Sequence, residues 1–176
     1  RTVGELNSSV LEGRIERVVR LNEALHEKRI ARIADQICEN ESVRVVCIAG
    51  PSASGKSTFL QRLAIQLGVN GKAPLTISLD DYYREREQSV EVDLESPEAL
   101  DIGLLNRHVE ALLRDEVVSI PRFDFTKQQP VPREYWKLVS LKPNGILLLE
   151  GLHALNPAIL HNLPNETVFR VFVSAL

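Results

Sequence analysis

Apolar residues recur along this chain with two periods, and the alternation between them outlines a fold. From Ser9 to Ile37, Leu11, Ile15, Val18, Leu25, Ile30, Ile33 and Ile37 fall at helical spacing with charges between them. That pattern predicts a long amphipathic helix, with Ser9 and Glu12 as its opening capping box. Val43, Val45, Val46, Cys47, Ile48 and Ala49 then form a nearly all-apolar run, as expected of a strand buried on both faces. Phe59, Leu60, Leu63, Ala64 and Leu67 return to helical spacing, and Gly68 offers a stop. A second strand is expected over Leu75 to Leu79, and Arg84 to Glu95 reads as a polar loop. Pro97 begins a further helix with Ser96 as its cap, running through Leu100, Leu104, Leu105, Val109 and Leu112. Strand-like runs follow at Val117 to Ile120, Ile146 to Leu149 and Val168 to Val173.

Strands alternating with helices argue for an α/β fold whose mainly parallel sheet carries helices on both faces. Residues 1–41 read as an N-terminal helical arm or linker and residues 42–176 as the main domain. Two features of the ends, the missing initiator Met and a buried-type strand just before Leu176, suggest a piece of a longer protein.

Size and composition add limits. A chain of 176 residues suits one domain with a sizeable core, and 44% hydrophobic and 26% charged residues are ordinary globular values. A net charge of -3 provides no basic footprint for nucleic acid. No apolar run reaches membrane-spanning length. Two cysteines, Cys38 and Cys47, make no disulfide framework and read as inert thiols in a cytoplasmic, reducing setting. His26, among charges in the first helical stretch, reads as solvated. An assembly of identical copies is compatible with the sequence.

The chemistry concentrates between the first strand and its helix. Gly50, Pro51, Ser52, Ala53, Ser54, Gly55, Lys56, Ser57 and Thr58 match the phosphate-loop pattern G-x-x-x-x-G-K-[ST]. Its glycines let the backbone turn successive N–H groups toward phosphate oxygens. Lys56 adds a point charge, the Ser57 hydroxyl can ligate Mg²⁺, and the following helix points its positive end at the same place. By composition alone, such a match arises in about one chain in two hundred of this length, and the flanking strand and helix supply the setting it requires.

In parallel sheets, ligands gather beyond the carboxyl ends of the strands. The second strand ends in Asp80-Asp81-Tyr82-Tyr83 and the Ile146 strand in Glu150-Gly151. Phosphoryl transfer needs an acidic group for Mg²⁺ and a group that orients or accepts the proton of the attacking hydroxyl. Glu150 fits the metal side. Asp80 fits the base, with a second role near the metal. The D-x-x-G and N-K-x-D signatures of a GTP switch are absent, which favours a small-molecule kinase.

Five ordered motifs carry a family resemblance: GPSASGKST, ISLDDYYR (Ile77 to Arg84), SPEALD (Ser96 to Asp101), PRFDF (Pro121 to Phe125) and LLLEGLHALNP (Leu147 to Pro157). Together they resemble the uridine kinase and phosphoribulokinase family. In particular, the chain is similar to bacterial-type uridine kinase-like proteins with N-terminal domains similar to those of threonyl-tRNA synthetase. The resemblance implies Asp80 as base toward a nucleoside 5′-hydroxyl and Tyr83 as an aromatic neighbour of the nucleoside. Glu95 falls where the ribose hydroxyls are bound, Phe123 and Phe125 where aromatic residues line the base pocket, and Ser57 and Glu150 at the Mg²⁺ positions. Aromatic faces can stack on a base, and a carboxylate can accept from two hydroxyls.

The chain departs from the family pattern in three places. Gln128 or Gln129 stands where uridine kinases have a base-reading histidine. The Arg84 to Glu95 loop is short, and an arginine-rich lid would fall beyond Leu176. A core without that lid is expected to bind nucleotide yet to exclude water and neutralise transition-state charge poorly. The leading expectation is ATP-dependent phosphorylation of a small nucleoside-like acceptor, uridine or cytidine. The alternatives are a kinase for another alcohol, such as pantothenate or a sugar phosphate, and a nucleotide-sensing module whose kinase activity has decayed.

Overall fold

The computed structural model describes residues 2–85 and 96–174 of the chain. At its centre, four parallel strands lie in the order β2-β7-β1-β8: β1 (Val45–Ala49), β2 (Ala73–Ser78), β7 (Gly145–Glu150) and β8 (Val168–Phe172). Val46 and Ile48 of β1, with Ile146 and Leu148 of β7, face α2 (Ile15–Glu39) and α3 (Lys56–Val69). The alternate residues Val45, Cys47, Ala49, Leu147 and Leu149 face α4 (Ile102–Leu113). Side chains of a strand point to opposite faces in turn. A run buried on both sides is therefore what two helical layers require, and the expected α/β architecture is present.

Strand β2 lies at a sheet edge, where Pro74 removes no needed ladder bond. Strand β3 (Val118–Ile120) leaves the main sheet and pairs antiparallel with β6 (Lys137–Val139). Strands β4 (Phe123–Asp124) and β5 (Gln129–Pro130) make a second small ribbon.

The single helix expected from Ser9 is instead two helices. Helix α1 (Val3–Leu11) is opened by Thr2, whose hydroxyl accepts from Glu5 N while the Glu5 carboxylate accepts from Thr2 N. The capping box is thus Thr2–Glu5, and Ser9 lies inside the helix, donating to the Glu5 carbonyl. Gly13, at φ 68°, ends α1. Gly13 N donates to Val10 O and Arg14 N to Ser9 O, the paired bonds of a Schellman stop. A local backbone preference here overrides the continuous apolar stripe. Of that stripe only the far end is buried: Ile30, Ala34 and Ile37 pack under the sheet, whereas Leu11 is 88% exposed.

The helix expected from Pro97 also divides. Ser96 caps a single turn over Pro97–Ala99, and Leu100 is extended and bridges Tyr83. Asp101 then caps α4, accepting from Leu104 N at 2.8 Å. Leu100 is buried in the α4-side core, and Arg84 N and Asp101 N donate to Ala99 O and Tyr82 O across the bridge. Burial and satisfied backbone groups outweigh one unbroken helix.

Candidate phosphate and acceptor site

The loop expected to hold phosphate joins β1 to α3 at the carboxyl edge of the sheet. Ala53 (φ 58°) and Gly55 (φ 88°) both adopt the left-handed backbone that turns N–H groups inward. Gly55 precedes α3 without any side-chain cap, so the first turn keeps its donors for a ligand. Gly50 is required for a different reason: a methyl there would collide with the Val173 carbonyl oxygen and lie 2.9 Å from Ser54 Oγ. Val173 N in turn donates to Ala49 O at 2.7 Å, so the end of β8 presses on the loop. Lys56 Nζ donates to Pro51 O at 2.8 Å across the loop. Ser54 Oγ is buried without a hydrogen-bond partner. Pro51, Ser52, Ala53, Ser57 and Thr58 are exposed around this cradle.

Strand register places the acids beside it. Glu150 pairs with Ile48 on one side and Ser78 on the other. The ends of β2 and β7 are therefore level, with β1 running one residue further to Ala49, and Asp80 follows two residues after Ser78. Gly151 makes the junction possible, since a methyl there would lie 2.7 Å from Leu79 Cβ. Burial pushes the Asp80 carboxyl above its ordinary range, with Lys56 and then His153 opposing the shift. Burial also raises Glu150; Lys56 opposes, the Asp80 charge adds, and a hydrogen bond from Ser57 opposes. These mutual influences bring Lys56, Ser57, Asp80 and Glu150 into one electrostatic unit at the carboxyl edge of the sheet. Among the described residues no cluster of three or more His, Cys, Asp or Glu forms a metal cage.

The aromatic residues converge as well. Tyr83, Phe123 and Phe125 meet edge to face, with ring centroids 5.5, 6.1 and 5.0 Å apart. Phe123 is buried and Phe125 is 53% exposed, so one ring anchors the trio and another offers a face to solvent. Asp81 ties this trio to the acidic turn, accepting from Phe123 N at 3.3 Å. Burial raises the Asp81 carboxyl, opposed by that hydrogen bond. Gln128, at φ 53°, and Gln129 in β5 are exposed on the same ribbon. Glu95 lies outside the described residues.

Sequence reasoning passed over three contributors: the Asp81 tether, the close approach at Gly151 and the sealed Nε2 of half-buried His153. For His153 a signal existed, as a second polar residue just past the strand end in Glu150-Gly151-Leu152-His153.

The phosphoribulokinase / uridine kinase family model matches residues 45–176. The chain belongs to this family. It is 32% identical over 139 residues to a uridine kinase of Aliivibrio salmonicida, covering 74% of this chain and 62% of that one. A uridine-cytidine kinase C of Dictyostelium discoideum is 34% identical over 120 residues, covering 68% of this chain and 25% of that protein. The chain therefore spans less than two thirds of either relative. Among solved structures, a possible uridine kinase from Bacillus stearothermophilus superposes with TM-score 0.65 at 20% identity, covering 82% of this chain and 79% of that one. A D-glycerate 3-kinase from Cryptococcus neoformans gives TM-score 0.52 at 19% identity, covering 72% and 52%. These two likenesses show the shared fold. No helix among the described residues is long and apolar enough to cross a membrane.

Proposed function

We propose that this chain is the catalytic core of an ATP-dependent kinase that phosphorylates the 5′-hydroxyl of a nucleoside-like acceptor, uridine or cytidine. The observation that carries the reading is the convergence of Lys56, Ser57, Glu150 and Asp80 at one sheet edge, with the Tyr83–Phe123–Phe125 trio joined to it through Asp81. The uridine kinases among its relatives support the same class.

The residues fit a nucleoside triphosphate with Mg²⁺. The cradle holds an orphaned hydroxyl at Ser54 and uncapped helix donors. Mg²⁺ commonly binds through one or two carboxylates together with substrate phosphates and water. A single carboxylate, Glu150, beside the Ser57 hydroxyl suits that habit. When bound, the ion neutralises charge on the β- and γ-phosphates.

In the proposed step, the loop N–H groups and Lys56, freed from Pro51 O, hold the phosphates in line with the acceptor. Asp80 takes the proton of the acceptor hydroxyl as its oxygen bonds to the γ-phosphorus. The bond to the β-phosphate oxygen breaks, and ADP leaves. The aromatic trio offers faces for the base, and Glu95 is assigned to the ribose hydroxyls. Residues 1–41 are assigned to an arm of the kind that precedes the kinase domain in uridine kinase-like proteins with threonyl-tRNA synthetase-like domains. The protein is assigned to the cytoplasm. The test is phosphate transfer from ATP to uridine. Asp80→Asn, folded and still binding ATP, should lose most of the parental rate, and an unchanged rate would refute the assignment.

Gln128 and Gln129, exposed where a base-reading histidine would stand, favour a second reading with the same chemistry on another alcohol. An acceptor screen that includes pantothenate and sugar phosphates separates the two.

A further inference from the structure

His153 stands in the loop after β7, three residues past Glu150. That loop is anchored well away from the site. Asn156 N donates to His153 O at 2.8 Å, and Asn106 of α4 accepts from Leu160 N at 3.0 Å while donating to Ala158 O at 3.1 Å. The backbone that carries the ring is therefore held. Yet His153 Nε2 is sealed from solvent and has no hydrogen-bond partner. A polar ring nitrogen sealed in this way calls for a partner, and a role at a functional site is one explanation of such a group.

The surroundings indicate which group it serves. The register that sets Ser78 level with Glu150, and the close approach of Gly151 to Leu79, bring the segments carrying Asp80 and His153 side by side. His153 accordingly acts on the Asp80 carboxyl, whereas the neighbours acting on Glu150 are Lys56, Asp80 and Ser57. Asp80 lies at the rim of the site, exposed as a residue with its carboxyl only partly withdrawn from water, and its own backbone N–H donates to Ser78 Oγ at 3.3 Å. We propose that His153 is a positioning residue: in the loaded site its Nε2–H donates to one carboxylate oxygen of Asp80 and aims the other at the acceptor hydroxyl. His153 keeps its proton throughout. The proton from the acceptor goes to Asp80 and from there to water. This inference rests on the reading of Asp80 as the base.

Two variants and one spectrum test it. His153→Leu should lower kcat by about 10- to 100-fold, the scale of a misaimed reacting group, with the KM for ATP within about twofold. His153→Gln, which retains an N–H donor, should recover most of that loss. In an Asp80→Asn background, His153→Leu should add little further loss, because the two residues act as one unit. A loss carried by KM, no rescue by Gln, or full additivity with Asp80→Asn would each overturn the proposal. Nitrogen-15 spectra of the parent protein provide a readout independent of turnover and of the acceptor. They should show His153 protonated at Nε2, with a resonance that moves in Asp80→Asn. An unprotonated Nε2, or one indifferent to Asp80→Asn, would overturn the proposal even if His153→Leu failed to fold. An unchanged rate in Asp80→Asn alone would instead refute the base assignment.

Discussion

Gly151→Ala isolates the junction on which the site depends. Gly151 has no left-handed backbone to protect, so alanine meets only a packing obstacle. The new methyl would lie 2.7 Å from Leu79 Cβ and 3.3 Å from Leu79 Cδ2. Carbon atoms pack at about 3.5–4.0 Å, so the ends of β2 and β7 must separate by roughly 1 Å. Overpacking of this kind costs about 1–3 kcal/mol. At about 2–4 °C per kcal/mol for a chain of this size, the melting temperature should fall by roughly 2–12 °C. The displacement falls directly between Asp80 and Glu150, where about 1 Å of misplacement is enough to lower kcat by about 100-fold. Leu79→Ala should not rescue the variant, because alanine keeps the Cβ that makes the closest clash. Thermal melts followed by single-turnover transfer from ATP give both readouts. A variant that melts within about 1 °C of the parent and transfers phosphate at the parental rate would refute the reasoning.

Three other outcomes follow from the same geometry. Burial holds the Asp80 carboxyl above the usual 3.8, so the folded state binds that proton more tightly than the unfolded one. Its contribution to stability is favourable at low pH and is lost as pH rises through the raised value. Asp80→Asn should therefore raise the melting temperature of the ligand-free protein at pH 7 but not near pH 3, as scanning calorimetry would show. Cys47 is buried with its thiol pushed up to about 12, whereas Cys38 is partly exposed. A thiol reagent at pH 8 should titrate Cys38 in the native protein and Cys47 only after denaturation. Ile37→Ala should destabilise by about 2–5 kcal/mol in urea titration, while Leu11→Ala, on the same sequence stripe, should change stability by less than about 0.5 kcal/mol.

Much of the sheet and of the turn from Gly50 to Thr58 was legible in the sequence, because their signals are local. A run such as Ile146 to Leu149 is apolar at every position, as a short strand buried on both faces requires. Gly50, Gly55, Lys56 and Ser57 lie within eight residues of one another, so their spacing alone sets the turn and the helix start. Asp80 and Glu150 could be picked out as residues just past strand ends. Helix boundaries were less legible. The stripe from Leu11 to Ile37 carries one period throughout, and nothing in it tells which half meets a sheet. Gly13 broke it through a Schellman stop that competes with the periodicity. Packing then buried Ile30 and Ile37 while leaving Leu11 in solvent.

The tertiary structure alone decided how distant segments meet. Asp81 reaches across the chain to Phe123 N, Gly151 admits Leu79, and the Val173 carbonyl presses on Gly50. His153 acquires its sealed, unpartnered nitrogen from the way its loop is pinned to α4. Each of these depends on a distance between residues far apart in the chain, and such distances are set by the packing of the whole fold rather than by any local pattern.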